Sequence, residues 1–215
     1  TGILVYFAST ITAFIVEGDL KHLLQAQRFR KRIRKMKDHI VVCGAGSTGQ
    51  HIIKELLTAG IPVIGIDQDE RELKAIGDAH PKADFVYVVG DATDDDVLAQ
   101  VGLPAARGLV AALSNDKDNL YLVVAARQAN PAARIIGRAS ELSHVDKLKR
   151  AGADSVVSPN YIGGMRMVSE MLRPAVVRFL DEMLRDKRAT YRIDEVRIEA
   201  DSSLVGKSLR DASIR

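Results

Sequence analysis

The chain has 215 residues, of which 47% are hydrophobic and 27% are charged, and its formal net charge is +3. A chain of this length and apolar content buries a sizeable core, which excludes an intrinsically disordered protein and leaves room for one full domain and part of a second. The single cysteine, Cys43, excludes a framework of intrachain disulfides and favours a reducing compartment, and its apolar neighbours predict a small core residue.

The N-terminal segment is apolar and is followed by a strongly basic one. Residues 1–16 carry no charge, whereas eight Lys and Arg residues and no acidic residue lie between Lys21 and Lys37. Crossing a bilayer takes about 20 apolar residues, so we predict that residues 1–18 are the C-terminal part of a transmembrane helix, with a buried helix as the alternative. Basic residues after the apolar run disfavour a signal peptide and indicate a cytoplasmic exit. We interpret residues 19–38 as a basic linker beside the membrane, not as a nucleic-acid-binding arm.

Between residues 39 and 158, short β-branched runs alternate with amphipathic segments. This alternation predicts parallel β-α-β units with right-handed crossovers, and six strands predict a doubly wound Rossmann-type sheet in the order 3-2-1-4-5-6. The predicted strands are Ile40–Cys43, Val63–Ile66, Phe85–Val89, Gly108–Ala112, Arg134–Gly137 and Ser155–Val157. The predicted helices lie near Ser47–Ala59, Asp69–Ala79, Asp94–Gln100, Lys117–Ala129 and Glu141–Ala151.

The sequence changes character after the sixth predicted strand. Pro159 and Gly163-Gly164 predict a turn, and Met165–Lys187 then predicts a long apolar helix with a kink at Pro174. Because the sheet is already complete, the apolar face of this helix needs another surface to cover it. A partner subunit is the simplest candidate for that surface. We therefore predict that residues 159–188 dimerise the protein, and that residues 189–215 begin a small α+β subdomain that is truncated here.

A glycine-rich loop follows the first predicted strand and opens the first predicted helix. In such loops the first glycine permits a tight turn, the second lets the backbone approach a pyrophosphate, and the third allows helix and strand to pack closely. The N–H groups of the helix N-terminus attract the phosphates. The candidate loop residues are Gly44, Ala45, Gly46, Ser47, Thr48 and Gly49.

An acidic residue ends the second predicted strand, where Rossmann proteins hold the ribose hydroxyls of a nucleotide. Asp67 and its neighbour Gln68 occupy this place, and the next basic residue is Arg71. A 2′-phosphate would be repelled there, so NAD or an adenine nucleotide is favoured over NADP. A glycine pattern retained in a fold that no longer binds nucleotide is the competing interpretation.

Other polar residues follow the third, fourth and fifth predicted strands, at the edge where doubly wound sheets bind ligands. Asp91 and Ala92 follow the third strand, and Ser114 and Asn115 follow the fourth. Helix capping is the alternative there, because Thr93 and Asn115 precede predicted helices. Arg138 ends the fifth strand and is a candidate to pair with a phosphate, with a solvated surface arginine as the alternative.

The residues needed for catalysis are missing, so we predict that the protein is not an enzyme. A dehydrogenase requires a proton donor and a substrate pocket. Tyr121 is followed four positions later by Ala125, so the Tyr-x-x-x-Lys pair of short-chain dehydrogenases is absent. The five histidines have no metal-type spacing.

In their order along the chain, the apolar segment, the basic linker, the GAGSTG loop, Asp67, the GDAT sequence and the trailing amphipathic helix resemble the RCK (regulator of potassium conductance) family. The similarity extends over essentially the whole chain, and its most specific part is DHIVVCGAGSTGQHI. The closer resemblance is to prokaryotic ligand-gated potassium channels, in which this domain follows the pore's inner helix. A separate regulatory subunit of a Trk- or Ktr-type transporter and an NAD-dependent oxidoreductase are the alternatives.

The resemblance implies a homotetrameric channel in the cell membrane, with potassium as the transported ion and a ring of RCK domains in the cytoplasm. The domains would pair through the helix after the sixth strand. NAD or an adenine nucleotide such as ADP or ATP would be the regulatory ligand, held by the glycine loop and Asp67, with Asp91 and Arg138 at compatible positions. Calcium is also a family ligand, and candidate carboxylates for it are Asp181, Glu182, Asp194 and Glu195.

Overall fold

The computed structural model describes residues 32–33, 35–185, 202 and 205–206. Its strands are β1 (Ile40–Cys43), β2 (Val63–Asp67), β3 (Phe85–Val89), β4 (Gly108–Ala111), β5 (Arg134–Arg138) and β6 (Ser155–Val157). In this part of the chain they form one parallel sheet in the order β3-β2-β1-β4-β5-β6, which confirms the predicted Rossmann topology. Strand order therefore reverses between β1 and β4, at the centre of the sheet.

Helices connect the strands, and three of them begin at a side chain that caps the first turn. Asp69, Asp94 and Asn115 each accept a hydrogen bond from the backbone N–H two residues later. The predicted cap at Thr93 is thus displaced by one residue, to Asp94. The helices are α1 (Ser47–Thr58), α2 (Glu70–Ala79), α3 (Asp95–Gln100), α4 (Asp116–Ala129), α5 (Val145–Arg150), α6 (Pro159–Leu172) and α7 (Pro174–Arg185), with 3-10 turns at Leu103–Ala105 and Leu142–His144.

The core lies on both faces of the sheet, because successive side chains of a strand point to opposite sides. On β1, Val41 and Cys43 pack on the face covered by α3, α4 and α5, whereas Val42 packs on the face covered by α1 and α2. Burial raises the pKa of the Cys43 thiol to about 12, so the predicted role as a core residue is confirmed.

The end of the predicted linker is part of this core. Ile33 and Met36 are buried in the same cluster as the side chains of β1 and α3. Just before them, Arg32 pairs with Asp84 at 2.9 Å. After them, Asp38 turns the chain with a positive φ of 58° and leads into β1. The chain therefore reaches the sheet through residues that are fixed by packing.

The region after β6 differs from the prediction. The expected turn at Pro159 and Gly163-Gly164 is wrong, since α6 begins at Pro159 and continues through both glycines. Proline suits the first position of a helix, where its missing N–H has no intrahelical partner to lose. For the same reason the expected kink at Pro174 is a complete break, with α6 ending at Leu172 and α7 starting at Pro174.

The chain divides into two compact units, Thr1–Ile162 and Gly163–Arg215. Within the second unit, Arg166 on α6 donates to both carboxylate oxygens of Asp181 on α7, at 2.5 and 3.0 Å, and to Glu170 at 3.0 Å. The ion pair with Asp181 connects the two helices across the break between them, whereas Glu170 lies on α6 itself.

Some predicted segments lie outside the described residues. They are the transmembrane segment (1–18), the linker as far as residue 31, and nearly all of residues 189–215. Among the residues that the structure describes, no helix combines the length and the apolar character needed to cross a bilayer.

Candidate functional site

A cleft opens at the carboxyl ends of the central strands, where the strand order reverses. Ligands of doubly wound sheets bind at this edge. The cleft has a volume of about 470 Å³, and most of the predicted site residues line it. They are Gly44, Gly46, Ser47, Asp67, Gln68, Asp91, Ala92, Ser114 and Arg138, and the lining also includes Gly90, Ala112, Leu113 and Asp118, which were not predicted.

The glycine loop has a different requirement at each glycine. Gly44 has a φ of +98°, and a Cβ there would meet the carbonyl oxygen of Ala112 at 2.9 Å. A Cβ at Gly49 would collide with the carbonyl oxygen of Gly44, so the close approach of α1 to the turn depends on its absence. Above Gly46, by contrast, the space is open, with no atom within 4 Å of a Cβ. Of the three loop glycines, only Gly46 therefore has open space above it for a ligand.

The carboxylate of Asp67 holds two loops in place. One oxygen accepts a hydrogen bond from the N–H of Ala45 at 2.5 Å, and the other accepts one from the N–H of Asp69 at 2.9 Å. A carboxylate has about four acceptor positions, so both oxygens retain capacity for the hydroxyls of a sugar. Ala45, Thr48 and Gly49, although predicted as site residues, are not part of the cleft lining.

Asp91 joins the loops after β2 and β3. Its carboxylate accepts hydrogen bonds from the side-chain amide of Gln68 at 3.0 Å and from the N–H and hydroxyl of Thr93 at 2.8 and 2.7 Å. The hydrogen bonds from Thr93 hold the pKa of Asp91 below its usual range. Asp91 is therefore ionised at neutral pH, exposed, and does not cap a helix.

Arg138 lines the cleft, and its guanidinium is only partly satisfied by hydrogen bonds. One Nη of its guanidinium donates to the carbonyl of Leu113 at 3.3 Å. Its Nε is buried and has no partner among the described residues. An unpaired buried donor costs roughly 1–3 kcal/mol.

Asn119, which the sequence did not indicate, positions Arg138. It is fully buried, accepts from the N–H of Leu113 at 2.9 Å, and donates to the carbonyls of Leu113 and Arg138 at 3.0 Å. These bonds tie the end of β5 to the loop after β4. In the sequence, Asn119 is an amide on the inner face of a predicted amphipathic helix. This pattern does not distinguish a buried side chain from an exposed one.

The start of α4 has a structural role. Asn115 caps the helix and does not line the cleft. Asp116 accepts from the N–H groups of Ser140 and Glu141 at 2.7 and 3.0 Å and contacts Nδ1 of His144 at 2.8 Å. Burial raises the pKa of Asp116, but these hydrogen bonds outweigh it and hold the pKa below the usual value. Asp116 thus anchors the loop after β5.

The charges of the cleft are of two kinds. Positive potential comes from Arg138 and from the N-terminus of α1, where no side chain among the described residues caps the helix. Carboxylates come from Asp67, Asp91 and Asp118. The cleft therefore offers donors for phosphate oxygens and acceptors for hydroxyl groups.

The predicted calcium ligands do not come together in the described part of the chain. Asp181 is paired with Arg166, the side chain of Glu182 is not described, and Asp194 and Glu195 lie outside the described residues. Within the described ranges, no group of three His, Cys, Asp or Glu side chains is arranged to hold a metal ion.

The family model of the TrkA-N domain matches residues 40–159, which is the whole six-stranded sheet with its connecting helices. The chain belongs to the TrkA-N domain family. Its similarity to known proteins extends beyond the domain itself. It is 39% identical to probable potassium channel protein 2 of Methanocaldococcus jannaschii and 33% identical to potassium channel protein 1 of the same organism. Each alignment covers 100% of this chain and 63% of the relative, so the chain spans less than two thirds of their length.

Solved structures of GsuK share the fold. The GsuK RCK domain is 26% identical with a TM-score of 0.50, over 64% of this chain and 28% of that one. The GsuK channel bound to NAD is 26% identical with a TM-score of 0.51, over 64% of this chain and 23% of the channel chain. GsuK has also been solved bound to ADP, at 24% identity and a TM-score of 0.53, over 83% and 51% of the two chains. The predicted resemblance to RCK domains is confirmed.

The glycine loop allows a matched test of its packing. Gly49→Ala is expected to lower the free energy of unfolding by about 3 kcal/mol, because its Cβ collides with backbone. Gly46→Ala places the same methyl group in open space and should change the free energy of unfolding by less than about 1 kcal/mol. Urea denaturation followed by circular dichroism measures both. Equal stability of the two variants would contradict this account of the loop.

Proposed function

We propose that this chain is the nucleotide-sensing RCK domain of a homotetrameric potassium channel, attached to the pore through its N-terminal segment and facing the cytoplasm. The observation that carries the proposal is the cleft at the strand-order reversal, where an open glycine loop, Asp67 and Arg138 converge. The similarity of the entire chain to potassium channel proteins supports the channel context.

The cleft fits a nucleotide such as NAD, ADP or ATP. The N-terminus of α1 and Arg138 would hold phosphate oxygens, and Gly46 would let the backbone approach them. Asp67 would accept hydrogen bonds from the ribose hydroxyls. Its charge would repel a 2′-phosphate, so NADP is disfavoured. The NAD and ADP bound to GsuK support a ligand of this class.

The nucleotide acts as an effector in this proposal. A ligand shifts a conformational equilibrium only by the difference in its affinity for the two states. In this chain the ligand would contact loops that follow β1, β2, β3, β4 and β5, which Asp67, Gln68 and Asn119 already tie together in pairs. Tightening these loops in one subunit would favour one arrangement of the ring, and the linker would convey that change to the pore.

Two alternatives remain for the same fold. A separate regulatory subunit of a Trk- or Ktr-type transporter would use the same cleft, but the apolar and basic N-terminal segments favour a fused channel. An NAD-dependent oxidoreductase would need a catalytic acid beside the cleft, and the described side chains that line it include no His, Tyr, Lys or Cys. Calcium binding by Asp194 and Glu195 stays a prediction.

The role of Asp67 is tested by calorimetric titration with NAD and NADP. The unmodified chain should prefer NAD, and Asp67→Ala should weaken NAD binding by roughly 1–3 kcal/mol, because hydrogen bonds to a charged acceptor are lost. Asp67→Asn should narrow the preference for NAD over NADP, since it removes the charge and keeps an acceptor. Asp78→Ala, an exposed carboxylate away from the cleft lining, is the control. Equal affinity of the unmodified chain for NAD and NADP would contradict the ribose role.

The effector role predicts binding without turnover. Incubation of the protein with NADH and a panel of carbonyl substrates should leave the NADH absorbance unchanged, because the described side chains that line the cleft include no His, Tyr, Lys or Cys to act as the proton donor. Binding of NADH is measured in the same samples, so that an unchanged absorbance is not mistaken for a failure of the protein to bind NADH. Protein-dependent oxidation of NADH, abolished by Asp67→Ala, would favour the oxidoreductase instead.

The second unit carries an apolar stripe that is exposed in the single chain. Met167 and Met171 are 74% and 82% exposed, and Phe179 is 58% exposed. Side chains at helical spacings of three and four share one face of a helix, and a contiguous exposed apolar patch marks an interaction site. A second copy of the chain, related by a two-fold axis, is the partner that the proposed ring supplies. The stripe comprises Met165, Met167, Val168, Met171, Leu172, Val176, Phe179 and Leu180.

Dimerisation through this stripe is tested by sedimentation. Burial of Phe179 alone should stabilise the dimer by roughly 1.5–3 kcal/mol, so Leu172→Asp combined with Phe179→Asp should give a monomer that still binds nucleotide. Arg178→Asp also places a carboxylate on α7, at a polar position, and should leave the dimer intact. If the unmodified protein is monomeric at high concentration, or the double variant stays dimeric, the assignment of this interface is wrong.

A further inference from the structure

The nucleotide cleft has two sides, which meet at the glycine loop. On one side lie the ends of β2 and β3, with Asp67 and Asp91, and on the other lie the end of β4 and the start of α4, with Ser114 and Asp118. We call these the β2 side and the β4 side. β1, which carries the loop, is hydrogen-bonded to β2 and to β4. Because neighbouring strands are about 4.8 Å apart, the two sides are separated by roughly 10 Å.

Asp118 is a carboxylate of the cleft that lacks a partner. Asp67 and Asp91 each accept hydrogen bonds from the adjoining loops. Asp118 is partly buried, yet within the described ranges it accepts no hydrogen bond and forms no ion pair. An acidic side chain three residues after a helix cap can bond the N–H of the cap, but Asp118 does not bond Asn115 in this way. A partly buried carboxylate without such bonds suits a ligand that supplies donors.

The surroundings of Asp118 suit a nucleoside. Ala112 and Leu113 give the β4 side an apolar surface, and Ser114 adds a polar group. Ligand pockets commonly combine apolar surface with a few polar groups that fix orientation. A base can pack against the apolar part, and a carboxylate can accept hydrogen bonds from ribose hydroxyls. The β4 side therefore offers the same kind of acceptor that Asp67 offers on the β2 side.

The charge of the cleft distinguishes between nucleotides. The described side chains that line it include three carboxylates and one guanidinium, that of Arg138. The terminal phosphate of ADP carries up to about two negative charges at neutral pH, whereas each phosphate within a dinucleotide carries about one. A terminal phosphate held at the glycine loop would face the β4 side, where the charge of Asp118 disfavours it.

We propose that Asp118 makes the cleft specific for dinucleotides, because it accepts hydrogen bonds from the second ribose and repels the terminal phosphate of a mononucleotide. A dinucleotide spans the crevice of a doubly wound sheet at the strand-order reversal. A ligand whose first ribose is held by Asp67 thus places its second ribose on the β4 side. This inference rests on the nucleotide-binding function proposed above, and it narrows the ligand to dinucleotides such as NAD.

Calorimetric titration of the full 215-residue chain, purified in detergent, with NAD, ADP-ribose and ADP tests the role of Asp118. ADP-ribose differs from ADP by the second ribose and from NAD by the nicotinamide ring. Asp118→Ala should weaken the binding of NAD and ADP-ribose by about tenfold, because the acceptor is lost. It should tighten the binding of ADP by about twofold, because the repulsion is lost. Retained binding of ADP also shows that the variant is folded.

Two further variants serve as controls. Asp67→Ala should weaken the binding of all three ligands, because each of them carries the first ribose. Asp146→Ala removes an exposed carboxylate from the first turn of α5, away from the cleft lining, and should change none of the three affinities.

Several outcomes would overturn the proposal. Equal weakening of all three ligands by Asp118→Ala would show a purely structural role, and unchanged binding of NAD would show no role in recognition. Weaker binding of NAD with unchanged binding of ADP-ribose would place Asp118 at the nicotinamide ring, not at the ribose. If the unmodified chain binds ADP but not NAD, this inference fails while the proposed nucleotide-binding function stands. If it binds none of the three ligands, the proposed function fails and the inference fails with it.

Discussion

The contact between Gly49 and the carbonyl of Gly44 is the constraint on which the site depends. Only a glycine lets α1 lie so close to the turn after β1, because any Cβ would enter the space of that carbonyl oxygen. This approach directs the N-terminus of α1 at the point where the strand order reverses. It also places the N–H of Ala45 where Asp67 accepts it, so the loop after β1 and the end of β2 are held together. The open space above Gly46 then lies at the centre of the cleft.

The cleft is bordered by loops that hydrogen bonds connect in pairs. Asp67 joins the first two loops, Gln68 and Asp91 join the second and third, and Asn119 joins the loop after β4 to the end of β5. A ligand that bridges these loops would restrict several of them at once, as the proposed effector role requires. Allosteric coupling typically amounts to about 1–3 kcal/mol, and a few changed hydrogen bonds at these loops supply free energy on that scale.

The two edges of the sheet serve different tasks. The carboxyl edge holds the cleft, whereas the amino edge receives the chain through the buried side chains of Ile33 and Met36. β1 connects them, with Val41, Val42 and Cys43 buried and with a hydrogen-bonded strand on each side. The apolar stripe of α6 and α7 belongs to the second unit.

The sequence by itself determined the strand order, the glycine loop and the place of Asp67. These features follow from local patterns: β-branched runs, helical spacing, and glycines whose positions next to a strand allow few conformations. Local signals gave the wrong prediction at Pro159, where a turn was expected and a helix begins. Proline breaks the interior of a helix, but it is well suited to the first position of one. Helix caps were similarly ambiguous. Thr93 and Asp94 are both able to cap a helix, and only the path of the chain selects Asp94.

Only the tertiary structure decided which distant residues meet. Asn119 contacts Arg138, which lies nineteen residues further along the chain. Whether Nε of Arg138 has a hydrogen-bond partner depends on the groups that pack around it. Asp118 lines the cleft because the cap of α4 orients that helix. Ile33 and Met36 belong to a segment whose charges predict a solvated linker, yet both are buried against β1 and α3. Periodicity shows which face of a helix is apolar, but not what covers that face. Burial of these residues depends on contacts between segments far apart in the chain, and folding alone brings those segments together.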